Sequence, residues 1–581
     1  MWGLLYKGKK LFNPYRHFGQ PTLWPRGYPL GSVGENITQE YELSHWKTPS
    51  IQQGIVNGDP DMDAIFRLTR KHTHSRLNVT FDDRAPPAIV PAGVFSPFNS
   101  QNTLFLYDAL WALLIPSTTT VRVCDIWRGY WAQRLLWEMG GNLGFLPPNA
   151  FQKRNSHSYL SDAKDENDLY YQTERLVDFL SKWRCSLNKT FFDCMAELST
   201  AMVQENFWRE QDARLTYLWI QDLKALGYKE PKRIPLGLLK KGAMFQKQSN
   251  LPYQTDLTDQ HFNVTFWAAE QTPPMIYSTV KASPAFTPQL GEIISYCGHQ
   301  LVETSKIPAT NPNLLLIVVF NTPYYQNLRF LETMYGTHFP NIVYCGINKD
   351  LFYAYSKPLR KPLSFIELDT SEGWFGHQCL ILAMKLQFRV DGYLYIGDDV
   401  LLNPWNIHVS PLNSLWVYQS RIVKQSEPLH WDRLEDPKVG LKAYQAALRA
   451  LKLVDRKRYT SFTKMLSKNS GHNDGFFIGA SDIVYVPQRY KGDFLYYMEH
   501  FSKFNLYLEI IFPTVLRGIE ILKNVYEMPG TYFMDGNLNQ TEKYFDEKGL
   551  FLHTVKLSKF VPSPEGKKFF CEKFFPLILY G

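Results

Sequence analysis

The segment LLLIVVF at residues 314–320 is an uninterrupted apolar run, and it begins the region of the chain that decides the fold. A regular alternation follows it: a helical segment at 324–335, the strands NIVYCG (341–346) and SFIEL (364–368), a helical segment at 375–386 and the strand GYLYIG (392–397). Short apolar strands separated by helical segments are typical of an α/β domain with a mostly parallel sheet. The sequence therefore predicts an α/β fold here, with ligands bound beyond the carboxyl ends of the strands.

The rest of the chain divides into two further predicted regions. Residues 1–195 are rich in loops at first and then contain a short group of apolar elements between Thr103 and Pro147, which indicates a partial α/β region. Residues 196–305 are predicted to be a helical and looped connector, because apolar residues between Ser199 and Leu226 recur at helical spacing. The α/β domain then occupies residues 306–581.

Composition excludes several classes of protein. The chain has 581 residues, of which 45% are hydrophobic and 15% aromatic, so it can bury enough apolar surface to fold. Its formal net charge of +8 comes without a nucleic-acid recognition motif, so no nucleic-acid partner is expected. No apolar run approaches the about 18 residues that span a bilayer, and the N-terminus lacks the features of a signal peptide.

Cysteines and glycosylation sequons bear on the compartment. The seven cysteines form no Cys-x-x-Cys motif, lie at no zinc-binding spacing, and say little about redox environment. Five Asn-x-Ser/Thr sequons permit a luminal protein that could be glycosylated, and they begin at Asn36, Asn78, Asn188, Asn263 and Asn539.

The tetrad Gly397-Asp398-Asp399-Val400 is the most informative motif, because it follows directly after the apolar strand that ends at Ile396. Two adjacent carboxylates at a strand end favour a hard divalent cation, which binds carboxylate oxygens and shares its other positions with water and a diphosphate. This is the chemistry of nucleotide-sugar transferases, in which the metal stabilises the leaving diphosphate. The alternative is a turn in which an aspartate caps the following segment, Asn403 to Trp405.

Two further features lie downstream of the aspartate pair. A glycine-flanked polar loop, predicted to approach a donor or acceptor closely, consists of Gly471, His472, Asn473, Asp474 and Gly475. Glu509 lies within the apolar segment LYLEIIFPTVL, where burying a carboxylate is costly without a partner or a catalytic role. The alternative for Glu509 is a salt-bridged helix residue.

These segments together resemble a known family. The strings GYLYIGDDVLLNPWN (392–406), HNDGFFIGASDIVYVPQRY (472–490) and LEIIFPTVL (508–516) resemble the STELLO family of Golgi glycosyltransferase-like proteins. The N-terminal strings NPYRHFGQPTLWPRGYPLG (13–31), GIVNGDPDMDAIFRLTR (54–70) and VCDIWRGYWAQRLLWEMGGNLGFLPP (123–148) are similar to the same family. They also resemble, more faintly, the latter half of the reversibly glycosylated polypeptides, which are UDP-arabinopyranose mutases.

The resemblance implies a nucleotide-diphospho-sugar transferase (GT-A) fold for the C-terminal half and assigns roles to single residues. Asp399 would be the last acid of the Asp-x-Asp metal motif, with Asp398 beside it and Gly397 in place of the first acid. His553 would be a C-terminal metal ligand, and its alternative is an ordinary strand histidine. Glu509 would be the general base toward the acceptor hydroxyl. The implied cofactor is Mn²⁺ or Mg²⁺.

The resemblance also implies partners and a location. A nucleotide-sugar donor and a glycan or glycoprotein acceptor are expected on the luminal side of the Golgi. Family members are membrane-anchored, whereas this chain contains no transmembrane segment, so a truncated or a soluble form is expected. The alternative function is a catalytically weak or inactive scaffold that assists assembly or trafficking of membrane glycan synthases.

Two other features receive simpler predictions. Asp125 is interpreted as the N-cap of an apolar helix. The run from Lys442 to Lys468 is predicted to be an amphipathic helix with a basic face, which could meet a diphosphate or acidic lipid headgroups.

Overall fold

The structure is a computed structural model, and it describes residues 2–35, 38–70, 77–155, 158–234, 261–271, 288–298, 312–359, 362–370, 375–426, 435–436, 439–533 and 541–580. The chain forms two compact units. The N-terminal unit comprises Met1–Ser249 with Phe266–Tyr277, and the C-terminal unit comprises Asn250–Thr265 with Ser278–Gly581. The helices predicted as part of a connector therefore belong to the N-terminal unit.

The N-terminal unit is a mixed α/β structure. Its strands are β1 (Trp2–Tyr6), β2 (Lys10–Leu11), β3 (Glu40–His45), β4 (Ile51–Gly58), β5 (Ala88–Val90), β6 (Val94–Phe95), β7 (Thr103–Phe105) and β8 (Leu143–Gln152). Its helices are α1 (Pro14–His17), α2 (Ala64–Thr69), α3 (Cys124–Glu138), α4 (Tyr159–Asp165), α5 (Asn167–Lys182), α6 (Phe191–Gln204) and α7 (Glu210–Ala225). Six strands pair in the order β3-β1-β5-β8-β4-β7, in which β1 and β5, and β4 and β8, are parallel.

The C-terminal unit contains the predicted alternation of strands and helices. Its strands are β9 (Phe262–Thr265), β10 (Leu314–Val319), β11 (Asn341–Gly346), β12 (Ser364–Glu367), β13 (Gly392–Gly397), β14 (Val400–Leu402), β15 (Trp416–Val417), β16 (Ser420–Lys424), β17 (Gly475–Gly479), β18 (Ile483–Pro487), β19 (Tyr526–Glu527), β20 (Gly530–Tyr532) and β21 (Phe551–His553). Its helices are α8 (Pro288–Cys297), α9 (Leu328–Tyr335), α10 (Lys349–Ser356), α11 (Gly376–Lys385), α12 (Leu441–Val454), α13 (Arg456–Ser470), α14 (Lys491–Ser502), α15 (Leu508–Ile519), α16 (Thr541–Tyr544), α17 (Leu557–Phe560), α18 (Pro564–Phe569) and α19 (Phe575–Tyr580).

A parallel core organises the main sheet of the C-terminal unit. Strands β12, β11, β10 and β13 are parallel neighbours in that order, and every residue of β10, β11 and β13 is buried. Strands β18 and β9 extend the core on its two sides as antiparallel neighbours. From β10 the chain adds β11 and then β12 on one side, and it then returns to place β13 on the other side of β10. The strand order therefore reverses between β10 and β13. A topological switch point of this kind is where open α/β sheets bind ligands.

The structure confirms the predicted α/β fold and its strands, and it revises three local predictions. The helical region near Ser199–Leu226 is two helices, α6 and α7. Asn206 lies between them in a left-handed backbone conformation, with φ at 59°, and this conformation cannot continue the first helix. The run from Lys442 to Lys468 is also two helices, α12 and α13, because Asp455 caps the second by accepting a hydrogen bond from Arg458 N at 2.9 Å.

The third revision concerns Asp125, which is not an N-cap. The residue before α3 is Val123, and no side chain caps that helix. The Asp125 carboxylate instead accepts a hydrogen bond from Ser100 N at 3.1 Å and pairs with Arg26 at 3.2 Å. Its role in the structure is an ion pair with Arg26, and the cap prediction was wrong.

Six of the seven cysteines form disulfides: Cys185–Cys194, Cys297–Cys571 and Cys345–Cys379. Cysteine spacing predicted none of them, because partners 274 residues apart in sequence meet only through the fold. Disulfides persist in oxidising compartments and are rare in the cytosol. In the described parts of the chain, no helix is long and apolar enough to cross a membrane.

Candidate metal centre

The paired aspartates lie at the carboxyl end of β13, where that strand turns into β14. Asp398 N donates a hydrogen bond to Val319 O at the end of β10, at 2.9 Å, and Val555 N donates to Asp399 O at 2.8 Å. These backbone bonds connect both aspartates to neighbouring segments. The pair is therefore held at the switch point between β10 and β13.

Three side chains converge at this position: Asp399, Asp482 and His553. Each offers one ligand atom, and the three atoms lie within 4.8 Å of one another. His553 Nε2 is 3.5 Å from Asp399 Oδ1 and 3.7 Å from Asp482 Oδ1. Two carboxylates and an imidazole at this spacing form a set that a single divalent cation could join.

Strand register explains why residues far apart in sequence meet here. A small three-stranded sheet, β14-β21-β20, pairs Val400 with His553 and Tyr532 with His553. The histidine consequently lies beside the aspartate that precedes Val400. Asp482 reaches the same place because it comes directly before β18, and its carbonyl accepts a hydrogen bond from Gly397 N at 2.8 Å.

Tyr532 supports two of the three side chains. Its ring stacks on the His553 ring, with centroids 4.3 Å apart, and its hydroxyl donates a hydrogen bond to Asp482 Oδ2 at 3.1 Å. Partners that orient a metal ligand in this way are a usual part of a metal site. Tyr532 is therefore a positioning residue of the cluster.

The charges of the cluster are strongly coupled. Burial on its own would raise the pKa of Asp399, but His553 and Lys556 lower it to about 2. Burial and the charge of Asp399 raise the pKa of Asp398 to about 8, and burial also raises the pKa of Asp482. Burial on its own would lower the pKa of His553, but the nearby carboxylates of Asp399 and Asp482 outweigh this effect and raise the pKa. Crowded carboxylates of this kind favour a bound cation.

The residues present fit a divalent metal. Among the described residues, buried Asp399 Oδ1 has no well-formed hydrogen bond. A Cβ added at Gly397 would lie 3.1 Å from that same oxygen, so the glycine leaves the space beside it open. The Lys556 ammonium, on a side chain 47% exposed, pairs with the other oxygen of Asp399. Two oxygen donors and one nitrogen donor suit Mn²⁺ or Mg²⁺, with room for further ligands.

The structure brings only some of the predicted site residues together. Asp399 and His553 lie in the cluster. The Asp398 carboxylate accepts a hydrogen bond from Asn321 N instead, and it is not one of the three converging groups. Its role as a metal ligand stays a prediction.

Glu509 lies in the first turn of α15, and its side chain is partly buried. Its charge contributes to the raised pKa of Tyr395 and of Tyr532, the tyrosine that contacts His553 and Asp482. Phe512, one turn further along α15, packs against Tyr395 of β13 with ring centroids 5.3 Å apart. The glutamate therefore lies at the same end of the sheet as the cluster.

The loop from Gly471 to Gly475 contributes none of the three converging side chains. It precedes β17, whereas Asp482 follows that strand, and five extended residues span about 16 Å. Asp474 accepts a hydrogen bond from Ser426 Oγ at 2.6 Å, and His472 and Asn473 are exposed. The structure does not bring this loop to the cluster, and its contact with a donor or acceptor remains a prediction.

Sequence reasoning missed Asp482, Tyr532 and Lys556. One signal for Asp482 was present in the sequence. It lies immediately before the apolar strand IVYVP, just as the aspartate pair lies immediately after the apolar strand GYLYIG. Lys556 lies three residues after His553, so a search around that histidine could have found it. Tyr532 gave no signal of its own.

A mixed α/β sheet with an acidic, histidine-containing cluster at its switch point defines the class as a GT-A-like α/β fold with a ligand site at the strand ends. Comparison with known proteins identifies the group within it. The family model described as STELLO glycosyltransferases matches residues 122–266 and 281–472. The chain belongs to this family. The matched ranges contain the paired aspartates and end before Asp482.

Two curated relatives from Arabidopsis thaliana are similar to more of this chain than the family model matches. "Probable glycosyltransferase STELLO1" is 27% identical over 563 residues, which is 95% of this chain and 66% of the relative. "Probable glycosyltransferase STELLO2" is 27% identical over 521 residues, which is 89% of this chain and 61% of the relative. The chain thus spans slightly less than two thirds of the length of either relative.

Proposed function

We propose that this protein transfers a sugar from a nucleotide-diphosphate donor to a hydroxyl group of a glycan or glycoprotein, using Mn²⁺ or Mg²⁺. The observation that supports this most is the convergence of Asp399, Asp482 and His553 at the switch point between β10 and β13. Nucleotides bind at such positions in α/β sheets, and the family is described as glycosyltransferases.

Asp399, Asp482 and His553 would hold the cation. When bound, the cation would neutralise charge that develops on the leaving diphosphate. Lys556 provides a second positive group: its ammonium already lies at Asp399, and nearly half of the side chain is open to solvent. A phosphate oxygen beside this lysine would gain a charge-assisted hydrogen bond. The four side chains would thereby bind and orient the donor.

Glu509 is the proposed general base. In this role its carboxylate would accept the proton from the acceptor hydroxyl as the oxygen attacks the anomeric carbon. Its position in the first turn of α15 places it near a helix N-terminus, where a carboxylate is favoured in its charged form. A charged carboxylate is the form that a base requires.

Titration of the full chain with UDP and with GDP, each with and without Mn²⁺, tests the donor site. We expect one of the two nucleotides to bind at least about tenfold more tightly with the metal, because the metal joins the diphosphate to three protein ligands. Isothermal calorimetry measures this directly. A folded chain that binds neither nucleotide with metal would contradict the proposal and favour the scaffold function, in which membrane glycan synthases are the partners to seek.

We also propose that the protein acts in the Golgi lumen, anchored or associated with the membrane. The three disulfides support an oxidising compartment. Among the sequon asparagines, Asn78, Asn188 and Asn263 lie in described segments and are exposed, while Asn36 and Asn539 lie outside the described residues. An exposed acceptor asparagine is open to the glycosylation machinery.

Expression through the secretory pathway should therefore add glycans, with Asn78 and Asn188 occupied first. Asn263 is expected to be used less, because its side-chain amide donates a hydrogen bond to Glu367 at 3.2 Å. Gel shift before and after glycosidase treatment measures occupancy. Asn78→Gln and Asn188→Gln should each reduce the gel shift by the mass of one glycan. Asn167→Gln lies outside any sequon and should leave the gel shift unchanged. A mass that glycosidase leaves unchanged would count against a luminal location.

A further inference from the structure

The hairpin of helices α12 and α13 contains most of the net positive charge of the protein. Residues 441–470 include eight lysines and arginines and a single acid, Asp455, so this segment alone has a net charge of +7 against +8 for the whole chain. Asp455 is engaged as a cap of α13 and accepts a hydrogen bond from Tyr496 at 3.1 Å. The segment contains no glycosylation sequon, so it carries no N-linked glycan of its own.

Three of these cations form a stripe along α13, which we call the lysine stripe: Lys457, Lys464 and Lys468. All three are exposed, and their spacing of seven and then four residues places them on one face of an α-helix. At about 1.5 Å per residue the stripe is about 16 Å long. Among the described residues, the ion pairs of this hairpin belong to Arg458, with Asp455 and Asp493, and none involves the three lysines.

The buried side of α13 fixes the direction of the lysine stripe. Phe462 and Leu466 are buried and lie on the side of the helix opposite the stripe. The Phe462 ring packs against the Tyr497 ring, with centroids 4.6 Å apart. At the carboxyl end of the helix, the buried side chain of Asn469 donates a hydrogen bond to Arg517 O at 2.6 Å. The stripe is therefore a preorganised row of charges, and a ligand would bind it without first ordering the backbone.

We propose that the lysine stripe binds an anionic polysaccharide, an inference that rests on the proposed luminal location and glycan acceptor. A linear glycan with an acidic group on each repeating sugar presents a row of charges that complements the row of ammonium groups. Ser461 is exposed between Lys457 and Lys464 on the same face, and its hydroxyl can exchange hydrogen bonds with sugar hydroxyls. The stripe and the metal cluster belong to the same compact unit, so the glycan would be held on the unit that binds the donor.

Affinity electrophoresis of the full chain tests the proposal, with polygalacturonate, dextran sulfate or neutral dextran in the gel. We expect polygalacturonate or dextran sulfate to retard the protein, less so as salt is raised, and neutral dextran to leave its migration unchanged. The polymer that retards it identifies the anion as a carboxylate or a sulfate ester. The variant with Lys457→Gln, Lys464→Gln and Lys468→Gln should lose at least about tenfold in affinity, because each exposed ion pair strengthens binding by about two- to fivefold.

The matched control removes the same amount of charge from exposed lysines outside the hairpin: Lys357→Gln, Lys548→Gln and Lys567→Gln. This variant should bind the polysaccharide as the unaltered protein does, and both triple variants should keep the unfolding temperature because they alter only surface residues. An equal loss of affinity in the two variants would reduce the effect to net charge and overturn the proposal. Unchanged affinity in the stripe variant, or equal retardation by neutral dextran, would overturn it too.

The measurement is made without Mn²⁺ or nucleotide, so its outcome does not depend on the donor site. None of the three lysines is among the converging groups of the metal cluster, and Asp399→Asn should therefore keep its affinity for the polysaccharide. A chain that binds the polysaccharide but no nucleotide would support the lysine stripe and contradict the proposed sugar transfer. A chain that binds nucleotide with metal but neither anionic polysaccharide would do the reverse.

Discussion

Asp399→Asn is expected to lower metal-dependent nucleotide binding by more than about 100-fold. Loss of an outer-shell partner of a metal commonly costs about 10- to 100-fold in affinity, and a direct ligand should cost more. The substitution removes the carboxylate that lies beside His553 and Lys556, and it leaves the Lys556 ammonium facing a neutral amide. Calorimetric titration with Mn²⁺ and the preferred nucleotide measures the loss.

The fold should survive this change. The contact of Asp399 with Val555 N uses its backbone carbonyl, which the variant keeps. The Lys556 side chain is 47% exposed, so its ammonium can turn to solvent and no buried charge is left unpaired. Asp391→Asn is the matched control, because Asp391 is exposed and lies just before the amino end of the same strand, β13. Unchanged metal-dependent binding in Asp399→Asn, with normal binding in the control, would remove the metal assignment.

The parts of this structure that sequence predicted are those set by local pattern. The strands at Leu314–Val319, Asn341–Gly346 and Gly392–Gly397 are buried throughout, and apart from Asn341 and the glycines their residues are hydrophobic, so their residue types indicated a core sheet. Their alternation with helices fixed the α/β class, and the strand end after Ile396 located the aspartate pair. Each of these inferences needs only residues close together in the chain.

The parts that sequence did not predict depend on contacts between distant segments. Asp482 joins Asp399 because β18 runs antiparallel to β13, and neither residue signals that pairing locally. The loop at Gly471–Gly475 has the composition of a binding loop, but it is not among the groups that converge in the cluster, and its contact with a donor or acceptor stays a prediction. The two-helix hairpin was predicted as one helix because a capping aspartate within a basic run does not interrupt the helical spacing.

Glu509→Gln is expected to reduce the rate of sugar transfer by about 10²- to 10⁴-fold while leaving donor binding unchanged. That range is the usual contribution of a positioned general base, and the amide of glutamine cannot accept the proton of the acceptor hydroxyl. Glu509 influences Tyr532 electrostatically but is not among the converging groups of the metal cluster, so the metal and nucleotide should still bind. Release of nucleoside diphosphate from the donor in the presence of acceptor measures the rate, and calorimetry measures binding.

Glu565→Gln is the matched control for this test, because Glu565 is also the second residue of a helix, α18, and its side chain is exposed. Both substitutions remove a carboxylate from a first helical turn and so lose a similar helix-dipole interaction, about 0.3–1 kcal/mol. A lower rate in Glu509→Gln alone would therefore reflect chemistry at the acceptor and not a weakened helix. A Glu509→Gln variant that still transfers sugar at the control rate would exclude Glu509 as the base, and the search would move to other groups near the cluster.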